Sequence, residues 1–465
     1  MKFYTAKIIL ISASLVVSVF VPSSADAKEE VGVSKTEITL GASFPQTGGA
    51  APYFQDFFTG AQAYFDYLNS KGGIQGRRIK LILRDDKGLP TLAVTQNTNL
   101  VLKDQVFALF NSAPFGVTHV RMATAAAINK RKIPNLAVTS SISLVSDALK
   151  YPTTFQATPN NKQEFKTLLN FLENSFGSIS VNTSYPDDEI GKDFEEVQVN
   201  SSMKLGRQVG ISGCPGIPYV QNNVGILSLW RAHCGGGTEK TLVTSDVYPL
   251  VVRGNSVSSS LAAFQAASSK SKNLYANFNM PMYTDSQDPF IEFFTKVFKE
   301  FVPNRDFSLE IQVNDSTKSV FNYVSQQMYE GANSAYVISQ AIASLGPQPT
   351  RTALIAFLRS KSKSLSSATF SPIDYSLSSN IGNTVQYIAK YDGSKWVKVS
   401  DYYLVNASGT SIQVTSPQRS SLLPGGLPVV TVTEKSLVKI NCVKGKITKQ
   451  ISGMNPKCPA GYKKA

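Results

Sequence analysis

Apolar and polar positions change period several times near the start of the chain. Residues 38–44 (ITLGASF) alternate, which predicts a strand. Residues 45–49 (PQTGG) interrupt the alternation as a loop. From position 55 to 68, Phe57, Phe58, Ala61, Tyr64, Phe65 and Leu68 recur at helical spacing, so one helix face is buried. Gly72 and Gly73 end that helix, because a left-handed backbone carries no Cβ penalty there. Residues 79–83 (IKLIL) form the next strand, with Asp85 and Asp86 at its carboxyl end. A strand, a helix and a parallel strand of these lengths make a right-handed βαβ unit.

The same grammar continues. Residues 90–102 predict a helix, 106–110 a buried strand, 118–130 a helix and 133–138 a strand. The expectation is an α/β fold with parallel sheets covered on both faces. Ligands of such sheets bind beyond the carboxyl ends of the strands. Here those ends are 45–53, 111–115 and 139–141. Further on, helices are expected at 162–174, 259–267, 290–301, 320–345 and 352–359, and strands at 178–185, 241–246 and 273–281. A hairpin is expected at 387–397, turning at Asp392-Gly393. Residues 407–433 are rich in Ser, Thr, Gly and Pro and read as a linker. Two short strands, 437–443 and 447–451, should form a separate terminal hairpin.

The first 27 residues combine Lys2 and Lys7, an apolar run from 8 to 21 and a small-x-small end at Ala25-Asp26-Ala27. They are expected to be an export signal, and the protein to be periplasmic or at the cell surface. No cysteine lies near the cleavage site, so no lipid anchor is expected. In an oxidising compartment the four cysteines should form two disulfides. Pairing by proximity gives Cys214–Cys234 and Cys442–Cys458, one of three connectivities. Half of the net charge of +14 sits after position 433, where eight lysines face a single acid, Glu434. That concentration argues against a nucleic-acid-binding main domain and suggests that the tail meets an anionic wall polymer or membrane surface.

No catalytic constellation is visible. The two histidines, His119 and His233, stand apart, and no His-Glu zinc motif, GxSxG, GxGxxG or phosphate-binding loop occurs. No metal or cofactor is expected, and the chain is read as a non-enzyme. Asp85 and Asp86 are read as caps of the following loop and helix rather than as paired acids.

Within 38–86, Pro45, Thr47, Gly48, Tyr53, Asn69, Gly72, Gly73, Ile74, Gly76, Arg77, Ile79, Asp85 and Asp86 occur in an order and spacing that is familiar. The stretch resembles the leucine/isoleucine/valine-binding protein family, the type I solute receptors of ATP-driven importers. Further phrases at 154–159, 187–193, 287–289 and 387–397 carry the same resemblance. It implies a two-lobed type I periplasmic-binding-protein fold that closes over a small polar or amino-acid-like ligand. A membrane permease then recognises the closed, monomeric receptor.

The resemblance also implies site residues. Ser112 and Ala113 lie where the family holds the ligand carboxylate. Val138, Thr139 and Ser140 match a second loop that supplies a carbonyl and a hydroxyl, and Tyr53 matches an aromatic cover. Asp246 stands where an acid meets the ammonium, with Tyr248 and Tyr185 as wall residues. Each has a plainer alternative: a loop hydrogen bond for the serines, core packing for Tyr53, a solvated aspartate for Asp246.

The expected organisation is signal peptide 1–27, first lobe 28–155 and 283–368, second lobe 156–282 with return strands 369–406, linker 407–433 and basic module 434–465. Residues 197–235 are shorter than the family's pattern, so the second lobe is expected to be reduced or altered. A sensing or surface-interaction protein that keeps the fold without transport is the alternative function.

Overall fold

The computed structural model describes residues 30–48, 51–114, 128, 130–176, 180–186, 189–199, 204–210, 225–228, 251–253, 274–307, 323–375, 379–391, 396–405, 411–414, 419, 438–444, 447–453, 458 and 462–464. The opening unit forms as its pattern predicts. Strand β1 (Glu37–Phe44) runs parallel to β2 (Arg78–Asp85), and α1 (Pro52–Ser70) connects them. After α2 (Pro90–Leu102) come β3 (Ala108–Phe110), β4 (Asn135–Val138) and β5 (Thr154–Gln156). These five strands make one parallel sheet in the order β2-β1-β3-β4-β5. The order reverses at β1, which places the crevice at the carboxyl ends of β1 and β3. The expected helix at 118–130 lies outside the described residues apart from Ile128 and Lys130.

The chain then crosses into α3 (Asn161–Phe176), β6 (Ser180–Pro186), α4 (Glu189–Gln198), β7 (Lys204–Gly210), β8 (Gly225–Ser228), β9 (Val251–Arg253) and β10 (Leu274–Phe278). The return adds α5 (Pro289–Phe301), α6 (Gln326–Ala343), α7 (Arg351–Lys361), β11 (Val385–Tyr391), β12 (Trp396–Val405) and β13 (Ser411–Val414). The second sheet runs β13-β12-β11-β10-β9-β8-β6-β7. Its strands β6 to β10 are parallel and repeat the strand order of the first sheet, while β11 to β13 are antiparallel.

Three differences from the sequence reading have physical causes. Residues 197–235, expected to be reduced or altered, supply β7 and β8, short runs that take their place by non-local pairing with β6. Strand β13 lies inside the expected linker and is held by pairing with β12. Helix α6 begins six residues later than its apolar pattern, because the Ser325 hydroxyl accepts from the Met328 N–H and caps it.

Helices α1, α5 and α6 share one core with the first sheet, through Phe57, Tyr64, Phe65, Phe294 and Tyr336. Tyr64 and Tyr336 meet edge to face at 5.6 Å. A core on the other lobe packs α3 against β10, β11 and β12 through Phe165, Leu168, Tyr275, Ile388 and Tyr403. Each such side chain contributes about 1.5–3 kcal/mol when fully buried. Beyond the lobes, β14 (Val438–Lys444), β15 (Ile447–Gly453) and β16 (Lys463–Lys464) form a small sheet of their own. The Cys442–Cys458 disulfide closes it, as expected. The third strand was not legible, being only two lysines long. Cys214 and Cys234 lie outside the described residues.

Candidate functional site

The carboxyl ends of β1, β3 and β4 come together through hydrogen bonds. Asp85 accepts from the backbone N–H groups of Gln46 and Lys87, both at 2.9 Å, and from the Thr47 hydroxyl. These bonds outweigh its slight desolvation and hold its carboxyl below the usual range. Asp86 is buried and accepts from Ser43 Oγ at 2.6 Å and Gly88 N–H at 2.9 Å. Burial pushes its carboxyl up, with those bonds opposing. The pair therefore shapes the loop beside the crevice.

Ser112 is fully buried. Its hydroxyl donates to Asn97 Oδ1 at 2.6 Å and accepts from the Ser43 N–H at 2.7 Å. The Ala113 N–H donates to the Ser43 carbonyl at 2.6 Å. Both thus tie β3 to β1. Asn111 and Ala113 have positive φ, at 44° and 52°, a strained backbone held at the strand end. The Asn111 side-chain oxygen accepts from the N–H and hydroxyl of Thr139, at 2.9 and 3.0 Å. The Val138 carbonyl accepts from Ala157 N–H at 2.8 Å.

Ser140 differs from Ser112. It is 2% exposed, and its hydroxyl has no partner among the described residues, while its carbonyl accepts from Gln156 Nε2 at 2.7 Å. It is one of a group. Asn111 Nδ2, Gln156 Oε1, Thr158 Oγ1 and Asn161 Oδ1 are also buried without partners among the described residues. All lie on the strand ends or the first crossover, joined by the Asn111–Thr139 and Ser140–Gln156 bonds and by the bond from Asn161 N–H to the Ser141 carbonyl at 2.6 Å. An orphaned buried polar group costs about 1–3 kcal/mol, so a cluster of them marks a place built for a polar occupant. Asn111, Gln156, Thr158 and Asn161 were missed in the sequence, where only a crossover position could have pointed to them.

The same corner joins the lobes. Asp193 on α4 accepts from the N–H of Ser143 at 2.9 Å, from the Ser143 hydroxyl and from Asn161 Nδ2. Burial pushes its carboxyl up, and the bonds from Ser143 oppose it. The Gln156 N–H donates to the Asn380 carbonyl at 2.7 Å and the Gln156 carbonyl accepts from the Gly382 N–H at 3.0 Å, so the first crossover runs beside residues 380–382. Tyr53 is in the first turn of α1. Tyr185 is in β6. Asp246 and Tyr248 lie outside the described residues. Among the described residues, no group of acids, histidines and cysteines is placed to hold a metal ion, and no helix is long and apolar enough to cross a membrane.

Comparison with known proteins agrees with this geometry. Residues 37–218 match the family model described as Periplasmic binding protein, which bears out the resemblance seen in the sequence. An "Amino acid binding protein" of Pseudomonas aeruginosa is 33% identical over 73 residues, 16% of this chain and 20% of that protein. The "Leu/Ile/Val-binding protein BraC3" of Rhizobium johnstonii is 38% identical over 69 residues, 15% of this chain and 19% of that protein. The matched part thus spans about a fifth of these curated relatives. A branched chain amino acid ABC transporter protein from Thermus thermophilus, solved with bound valine, superimposes with a TM-score of 0.64 at 13% identity. That likeness covers 81% of this chain and 98% of the other. The fold is therefore the two-lobed α/β architecture of the periplasmic binding proteins.

Proposed function

We propose that this chain, whose first half carries the periplasmic binding protein pattern, is the extracytoplasmic ligand-binding component of an ATP-driven importer. It binds a small polar or amino-acid-like molecule between its lobes and catalyses no reaction. The observation that carries this reading is the group of unpartnered polar atoms at the first lobe's strand ends. A zwitterion needs donors for its carboxylate and acceptors for its ammonium. Asn111 Nδ2 and the hydroxyls of Ser140 and Thr158 are donors, and Gln156 Oε1 and Asn161 Oδ1 are acceptors. Thr139 stands beside them, Tyr53 covers the ligand, and Ser112 and Ala113 shape the loop from behind. Asp246 and Tyr248 complete the opposite wall, and a permease reads the closed form. The mature protein is exported and works as a monomer.

The test is a thermal-shift panel of branched-chain amino acids, their amides and small carboxylates. A ligand present at a hundred times its dissociation constant should add about 2.7 kcal/mol to the lobe it binds, a clear rise in Tm. No response to any member would count against a transport role.

A second reading has its own observation. The basic module is a disulfide-closed sheet beyond the two lobes, with Lys444 and Lys463 exposed. Its lysines suit an anionic wall polymer or membrane surface, and the protein would then be retained there as a surface receptor. Deleting residues 434–465 should release the protein from cells at low salt. Unchanged retention would remove this reading.

A further inference from the structure

Away from the strand-end site, a cavity of about 470 Å³ lies on the face of the second sheet opposite α3. Phe370, Tyr387, Trp396 and Tyr402 wall it. The first three are buried, and the rings pack on one another at 5.0 Å for Phe370 and Tyr402 and 5.3 Å for Phe370 and Tyr387. The volume falls in the range of small-molecule sites, which are mostly apolar with a few placed polar groups.

Four charged side chains line the same cavity, and they divide into two kinds. Arg419 is paired with Asp288, which also caps α5, and its guanidinium lies 4.7 Å from the Phe290 ring and 5.8 Å from that of Phe370. That pair is neutral, and only Arg419 Nε is left without a partner among the described residues. Asp285 and Lys398 are exposed at the mouth, and neither has an ion-pair partner among the described residues. The Lys398 ammonium sits over the Tyr402 ring at 3.6 Å. The Asp285 carboxylate is near enough that, after burial and the neighbouring Tyr402, it adds to the rise in the Tyr387 phenol's pKa.

The occupant is constrained by charge. A neutral apolar molecule would cover Asp285 and Lys398 without answering either, and a simple cation or anion would answer only one. A zwitterion answers both: its ammonium meets Asp285 and its carboxylate meets Lys398. Its side chain then enters a box of aromatic rings, where another ring gains edge or offset contacts. We propose that this cavity is a second binding site, separate from the inter-lobe crevice, for an amino acid with an aromatic side chain. It is bounded by residues 281–288, the segment leading from β10 to α5, so an occupant touches one of the links between the lobes.

The chain has two tryptophans, Trp230 and Trp396. In the full mature chain carrying Trp230→Phe, Trp396 is the sole reporter of the cavity. L-phenylalanine should change its fluorescence saturably. Asp285→Ala and Lys398→Ala should each weaken that binding about tenfold or more, as loss of a charge-assisted hydrogen bond does. 3-Phenylpropionate, which lacks the ammonium, should bind correspondingly worse than phenylalanine. Ser140→Ala should leave the signal unchanged, which separates this site from the crevice. The proposal is overturned by no saturable change up to about 10 mM phenylalanine in folded protein. It is equally overturned by charge variants that bind as well as the parent, or by loss of the signal in Ser140→Ala.

Discussion

Gly331→Leu should abolish soluble expression of the folded protein, and Gly331→Ala should lower its stability by about 3 kcal/mol. Helices α1 and α6 touch through backbone. A Cβ at Gly331 would lie 1.9 Å from the Phe57 carbonyl oxygen, and one at Gly60 would lie 1.9 Å from the Met328 carbonyl oxygen. The two glycines face each other's helices, so neither clash can be relieved by turning a side chain. The helices must separate, and with them the packing of Phe57, Tyr64, Phe294 and Tyr336. Alanine improves helix propensity by about 1 kcal/mol, which offsets only part of this. Urea unfolding followed by circular dichroism checks the claim. A midpoint for Gly331→Ala equal to that of the parent would refute the close approach.

The second large effect is at Asp56. Its carboxylate, on α1, receives Arg305 Nη2 at 2.7 Å and the Ser325 hydroxyl at 2.6 Å. Arg305 also donates to the Tyr323 carbonyl at 3.0 Å. The side chains are 4% and 13% exposed, so the pair is largely out of water. Burial pushes the Asp56 carboxyl up, and the Arg305 charge and the Ser325 bond oppose it. Removing one partner of such a pair typically costs about 3–5 kcal/mol, because the other charge stays buried and unanswered. Asp56→Ala should therefore destabilise the first lobe by that amount. Asp56→Leu combined with Arg305→Met should recover most of it. If the double variant were no better than Asp56→Ala, the cost would lie in lost packing and not in the stranded arginine. Ser325 adds a link to α6, since the same hydroxyl caps that helix.

Much of this was legible along the chain. The period of the apolar positions is local information, and β1, α1, β2, α2 and α5 appear where alternation and helical spacing put them. The crevice was legible as well, since a parallel sheet must open at its carboxyl ends. Individual roles there were not. Ser112 and Ser140 look alike in the sequence, both being serines at strand ends. Only the fold brings Asn97 and Ser43 to one of them and leaves the hydroxyl of the other without a partner among the described residues. The second lobe was harder for a related reason. Its short strands β7, β8 and β9 gain their place by pairing with distant neighbours, and β13 pairs with β12 at the sheet edge.

The central claim is that the unpartnered groups beside Ser140 grip a small polar ligand. Isothermal titration of the strongest ligand from the panel, into the parent chain and into Ser140→Ala, tests it most directly. The account predicts one-site binding to the parent and a loss of about tenfold or more in Ser140→Ala, the worth of a hydrogen bond to a charged group. Equal affinity in the two proteins, with both folded, would contradict it.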